Sequence, residues 1–242
     1  MSSHPHVSLV CCGLVGTTVG DGPGQERSAA GRLSGQESIV ERSFAEAMAT
    51  QGVVAGTSDY ARCMTQVSRT RGQPASDVFH SLFPDNQARA QAAGLAFERS
   101  YQAAVNRHGL APLPGANETM DKLTGSGIKT CLVSSLSRNM LTLVLNTVGW
   151  RTRCDLTLGS DEAPRGLPWP DLMLTAFLRL GLGDVREMAV AFGTESGVLA
   201  GRRAGAEIVA GVLTGPHTAT RLRRAGATHL IESIAELPDL VA

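Results

Sequence analysis

Glu195 stands in the stretch FGTESG, residues 192–197, directly after an apolar run and between two glycines. A carboxylate in a drier pocket has a raised pKa and suits general acid or base work. His80, beside SLFP, is a second acid–base candidate. Hydroxyls follow two other apolar runs: Thr17 and Thr18 after LVCCGLVG, and Ser134 after IKTCLV. With the N–H groups of their loops they offer hydrogen bonds to a carbonyl or an anion. Asp161 and Glu162 read as acids that order a loop, and Arg165 as a surface cation. Cys12 falls on the opposite strand face from Gly13 and reads as core. His4, His6, His108, His217 and Asp21 belong to no pattern.

The elements that must position these groups alternate. Apolar runs at 7–12, 128–133, 155–159, 187–192, 207–215 and 228–231 predict strands. Helical spacing appears at 137–150, 171–182, 197–205 and 232–241. Strands alternating with helices predict βαβ units and a parallel sheet, with ligands at the carboxyl ends of the strands. Residues 35–110 differ, being rich in Ala, Glu, Gln and Arg at helical spacing, and predict a helical insertion after the first strand. The glycine-rich stretch 20–35 reads as its hinge or an ordered loop, and LAPLPGA (110–116) as the return crossing. The expected fold is α/β, a Rossmann-like parallel sheet core (1–19 and 111–242) with a helical cap (20–110).

Composition narrows the partners. Lys+Arg 22 against Asp+Glu 22 leaves no net charge, which removes the electrostatic case for nucleic acid or an anionic membrane. Hydrophobic residues at 43% supply a sizeable core. The five cysteines form no CxxC pair, so neither a zinc site nor a disulfide framework is indicated. No basic-then-apolar leader opens the chain and no run reaches the ~18 apolar residues of a membrane span, so a cytoplasmic protein is expected.

Taken together, LVCCGLVGTTV, LAPLPGANETMDKLTGSGIKTCLVSS, SDEAPRGLPWPDLMLTAF, AFGTESGVLAGRRAGA and AGVLTGPHTATRLRRAGATHLIESIAELP resemble the haloacid dehalogenase superfamily. The resemblance is to its phosphonatase-like branch, relatives of phosphonoacetaldehyde hydrolase, and covers nearly the whole chain. It implies the fold already expected, with a cap inserted after the first motif. It also implies where catalysis would sit, and there the pattern breaks. The motif-one aspartate nucleophile is Gly13, and the residue two later is Val15. Ser134 keeps the motif-two hydroxyl. The motif-three cation is Leu167, and the two motif-four aspartates that hold magnesium are Gly193 and Gly197. The cap lysine of true phosphonatases aligns with Ala75.

Phosphoryl transfer needs a nucleophile and cations on the phosphate oxygens, and magnesium needs oxygen ligands in a near-octahedral array. Phosphatase chemistry by the family's mechanism is therefore not expected, nor is a metal or other cofactor. Three glycines and a leucine predict an emptied, less polar site suited to a neutral or apolar small molecule, lined by Gly13, Val15, Thr17, Thr18, Ser134, Leu167, Trp169, Gly193 and Gly197. Single-base drift from Asp to Gly accounts for the same letters. Three functions stay open: a metal-independent cyclase, isomerase or lyase using Glu195 or His80, a pseudoenzyme acting as a binding or regulatory partner, and a weak hydrolase. A homodimer is the candidate assembly.

Overall fold

Leu9–Gly13 forms the first strand, β1, and all five of its residues are buried. A strand covered on both faces is the mark of a central strand in a parallel sheet. In the computed structural model, which describes residues 6–22 and 38–242, β1 lies between β2 (Lys129–Val133) and β4 (Met188–Phe192). The six-stranded sheet runs β3-β2-β1-β4-β5-β6, with β3 at Leu156–Leu158, β5 at Ile208–Val212 and β6 at His229–Ile231. Every pairing is parallel; Gly13 stands opposite Val133, and Cys12 opposite Ala191.

Between β1 and the rest of the sheet come α1 (Ile39–Thr50), α2 (Ser58–Arg69), α3 (Ala75–Leu82) and α4 (Gln87–His108). Ser38, Thr57 and Asn86 cap α1, α2 and α4 through side-chain oxygens that accept from backbone N–H groups. The insertion packs around Phe44, Phe79, Phe97 and Tyr101, with Phe44 and Phe97 centroids 4.5 Å apart. The remaining helices are α5 (Ala116–Gly125), α6 (Arg138–Thr147), α7 (Asp171–Arg179), α8 (Glu195–Ala204), α9 (Ala219–Ala225) and α10 (Leu237–Val241).

The α/β fold with a helical insertion is as the sequence reading has it. The hinge proposed at 20–35 lies outside the described residues from 23 onward. Two helices, α5 and α9, go beyond that reading. Short and polar on the outside, α9 buries Leu222 alone and presents almost no apolar period. Residues 232–241 are not one helix: a capped 3-10 turn at Ile234–Glu236 precedes α10. The strand face on which a residue falls decides its layer. Val10 and Cys12 join the core shared with the insertion, whereas Leu9, Cys11, Val190 and Phe192 pack with α7 and α8. The buried cysteines are free thiols, and burial pushes those of Cys12 and Cys131 up. No helix among the described residues is long and apolar enough to cross a membrane.

Candidate functional site

Strands β1 and β4 lie side by side where the strand order reverses, so their carboxyl ends frame a crevice. Gly13 ends one strand, and Phe192 ends the other, just before Gly193. A Cβ added at Gly13 would stand 2.8 Å from Phe192 Cδ1 and 2.8 Å from Thr17 Oγ1. One added at Gly197 would run into the same ring. At Gly193 it would stand 2.6 Å from the Cα of Gly215 and 3.0 Å from the carbonyl oxygen of Gly16. The vacancies expected at these three glycines are thus closed. Phe192, 3% exposed, fills the space toward 13 and 197, and backbone fills the space at 193.

Beside that ring a cavity of about 90 Å³ remains between the sheet and the insertion. Gly13, Val15, Thr17, Ser134 and Leu167 line it, with Phe44 and Phe97 from the insertion. Thr17 Oγ1 accepts the Gly193 N–H at 3.0 Å, and Ser134 Oγ accepts the Leu136 N–H at 3.1 Å. Other expected site residues stand elsewhere. Thr18 Oγ1 donates to the carbonyl oxygen of Gly13 at 3.0 Å, so its hydroxyl secures the loop and is absent from the cavity wall. Gly193 and Gly197 are also off the wall, for the packing reasons just given. Trp169 is 43% exposed; the guanidiniums of Arg165 and Arg203 sit 4.4 and 4.7 Å from its ring, and Arg165 is itself held by both oxygens of Asp171. These cation–π contacts hold the indole at the surface.

The two acid–base candidates are corrected as well. Glu195 opens α8 and turns toward α9, where its Oε2 accepts from Arg221 Nε at 2.9 Å and from the same guanidinium's Nη2. It does not line the cavity. His80 lines a separate outer groove, its Nδ1 2.8 Å from the carbonyl oxygen of Ser76. Asp161 and Glu162 order their loop as read: they accept from the Arg138 and Gly159 N–H groups, both at 2.8 Å.

The charged groups that do face the cavity escaped the sequence reading. Asp21, Glu41 and Arg71 all line it. Arg71 Nη2 donates to Asp21 Oδ2 at 2.8 Å and to Ser38 Oγ at 3.0 Å, while its Nη1 pairs with Glu41. Ser38 also donates to Asp21. Burial pushes the Asp21 carboxyl up, and the Arg71 guanidinium offsets part of that. No spacing signal links positions 21, 41 and 71; the fold of the insertion brings them together. After Arg71, Gly72 turns with φ +85°, and a Cβ there would stand 2.8 Å from Thr194 Oγ1, so this turn seats directly on the start of α8.

A family model for haloacid dehalogenase-like hydrolases matches residues 37–211. The chain belongs to the haloacid dehalogenase-like hydrolase family. Among its curated relatives is a phosphonoacetaldehyde hydrolase of Pseudomonas fluorescens, 34% identical over 106 residues, which are 43% of this chain and 38% of the relative. Another is a bifunctional riboflavin kinase/FMN phosphatase of Arabidopsis thaliana, 35% identical over 99 residues, 40% of this chain and 26% of the relative. The chain thus spans well under half the length of these two relatives. A solved structure of a phosphonoacetaldehyde hydrolase-like protein from Oleispira antarctica superposes with TM-score 0.79 at 19% identity, covering 98% of this chain and 92% of the other. Over these spans the chain is similar to phosphonoacetaldehyde hydrolases.

For a haloacid dehalogenase-like hydrolase the implied metal is magnesium, and the residues present do not fit it. Magnesium takes oxygen ligands, chiefly carboxylates and water. No group of three or more His, Cys, Asp or Glu side chains gathers among the described residues, and the ring of Phe192 fills the space beside Gly13 and Gly197. Asp21 and Glu41, the carboxylates of the cavity wall, already close on Arg71.

His217 sits behind this crevice, buried, in the loop after β5. Its Nδ1 accepts the Glu195 N–H at 2.8 Å, and Nε2 is buried without a partner. Burial first, then the nearby Arg221, hold its pKa down at about 4, below the ordinary 6.5. The unfolded chain therefore takes up this proton first as pH falls. The neutral ring's contribution is complete above about 6.5 and is lost as pH falls toward about 4. Melting temperatures measured across that window should fall with acid in the parent, and fall less steeply in His217→Gln.

Proposed function

We propose that this family member does not carry out magnesium-dependent phosphoryl transfer and instead holds a small, largely apolar molecule between the sheet and the helical insertion. The observation that carries the reading is Phe192. Its ring stands against Gly13 and Gly197, and beside it remains a cavity walled largely by apolar side chains, among them Val15, Phe44, Phe97 and Leu167. A cavity of this kind retains apolar ligands through burial and orients them by a few polar groups. Here those groups are Thr17, Ser134 and the edge of the Asp21–Arg71–Glu41 cluster.

Ala75 provides the test, because it lines both the inner cavity and the outer groove and is only partly buried at the first turn of α3. A thermal-shift screen of small apolar molecules should find binders that raise the melting temperature of the parent by mass action. Ala75→Trp should keep the fold and lose those shifts. A screen in which no apolar molecule shifts the parent, or in which Ala75→Trp responds equally, contradicts the reading.

One observation favours a second reading, a non-hydrolytic enzyme of the isomerase, lyase or cyclase type. Asp21 is a carboxyl on the cavity wall whose pKa burial pushes up, the direction that makes a carboxylate a stronger base. Mass spectrometry of each binder after incubation separates the readings: recovered unchanged, it supports binding alone; converted by the parent but not by Asp21→Asn, it supports the enzyme.

A further inference from the structure

The outer groove runs between α3, α4 and the start of α6, with a volume of about 490 Å³. That lies within the ~300–1,000 Å³ of small-molecule pockets. It shares Ala75, Phe97, Ser135 and Leu136 with the inner cavity, so the two are neighbours across one wall. Leu95, Met140 and Phe97 give it an apolar side.

Its polar side combines the carboxylates of Glu98 and Asp161 with His80, the Gln91 amide and serine hydroxyls. Glu98 Oε1 takes the Ser137 hydroxyl at 2.7 Å, and Asp161 Oδ1 takes the Arg138 N–H at 2.8 Å. The second oxygen of each carboxylate accepts no hydrogen bond from the described residues. His80 Nδ1 faces the carbonyl oxygen of Ser76 at 2.8 Å, which accepts only. The proton of the neutral ring is therefore on Nδ1, and Nε2 is left as an acceptor. No lysine or arginine lines the groove among the described residues. The guanidinium of Arg138, nearby in sequence, is held by Thr157 and Glu162.

From this arrangement we infer that the groove selects an organic amine, with its apolar body against Leu95, Met140 and Phe97 and its ammonium toward Glu98 and Asp161. An ammonium is donor-only and matches the open oxygens of two carboxylates, whereas a phosphate or carboxylate brings like charge. The inference rests on the small-molecule reading above and replaces the expected neutral ligand with a cationic one.

Benzylamine, benzyl alcohol and benzoate share one skeleton and differ in the group presented. Measured by calorimetry on the full chain, benzylamine should bind about tenfold tighter than benzyl alcohol, as charge-assisted hydrogen bonds allow. Benzoate should bind weakest. Glu98→Gln and Asp161→Asn keep an oxygen for Ser137 and for the Arg138 N–H, and each should bring benzylamine toward benzyl alcohol while leaving the alcohol unchanged. Equal binding of amine and alcohol, or tightest binding of benzoate, overturns the preference for a cation and leaves the apolar-ligand reading intact. Binding by none of the three overturns the inference. Phosphate release with magnesium would overturn the reading beneath it.

Discussion

Arg71→Met should lower stability by up to about 3–5 kcal/mol, the range for removing one member of a buried ion pair. Asp21 is almost wholly buried, with 4% of its side chain exposed, and Arg71 is its ion-pair partner at 2.8 Å. The same guanidinium holds Glu41, so its loss sets two carboxylates against each other at the edge of the cavity. The pH dependence identifies the cause. Asp21 already has a folded pKa above its ordinary value, so its contribution is fully present in acid and is lost as pH rises through the folded value. Removing Arg71 takes away a group that lowers that pKa, so the variant should be weakest at neutral pH and recover part of the loss in acid. Arg71→Met combined with Asp21→Asn should be more stable than Arg71→Met alone. Denaturant melts of the four proteins in this cycle check it; a pH-independent loss would mean that Arg71 matters by packing and not by charge.

Aspartate introduced at Gly13 or Gly197 should destabilise the chain. At Gly197 the new Cβ would enter the Phe192 ring, and at Gly13 it would stand 2.8 Å from that ring and from Thr17 Oγ1. Overpacking of this kind costs about 1–3 kcal/mol per site. Because both side chains push on one ring, the two losses should not add. Phe192→Ala, costly by itself at about 3–5 kcal/mol, removes the obstacle. Against that background Gly197→Asp should cost far less than it does in the parent. Gly193→Asp should gain nothing from Phe192→Ala, since its neighbours are the backbone of Gly215 and Gly16. Melting curves that show Gly197→Asp equally costly in both backgrounds would clear Phe192 of this role.

These packing facts mark where sequence reading reached and where it stopped. The parallel sheet, the insertion and the loop after β1 follow from local patterns: buried apolar runs, capping residues, and a glycine at position 16 with φ +79°. The glycines at 13, 193 and 197 are legible letter by letter. What packs against them is not, because Phe192 reads as the last apolar residue of MAVAF, and its ring's reach toward 13 and 197 is a tertiary fact. Glu195 and His80 stand out by residue type, yet neither lines the inner cavity: Glu195 pairs with Arg221, and the His80 ring meets the Ser76 carbonyl oxygen. Asp21, Glu41 and Arg71 come from three separate segments and meet only when the insertion folds. Trp169 follows the motif-three loop, and two arginines that no local pattern pairs with it keep it at the surface.

With the ring of Phe192 packed against Gly13 and Gly197, the crevice has no room for a nucleophile or a metal ligand at either position. Phosphate release from a phosphate monoester and from phosphonoacetaldehyde, measured with and without magnesium on the purified chain, tests it most directly. The expected result is no magnesium-dependent release above a buffer control, together with no magnesium-dependent rise in melting temperature. Turnover at about 1 s⁻¹ or faster, the range of ordinary enzymes, would contradict it.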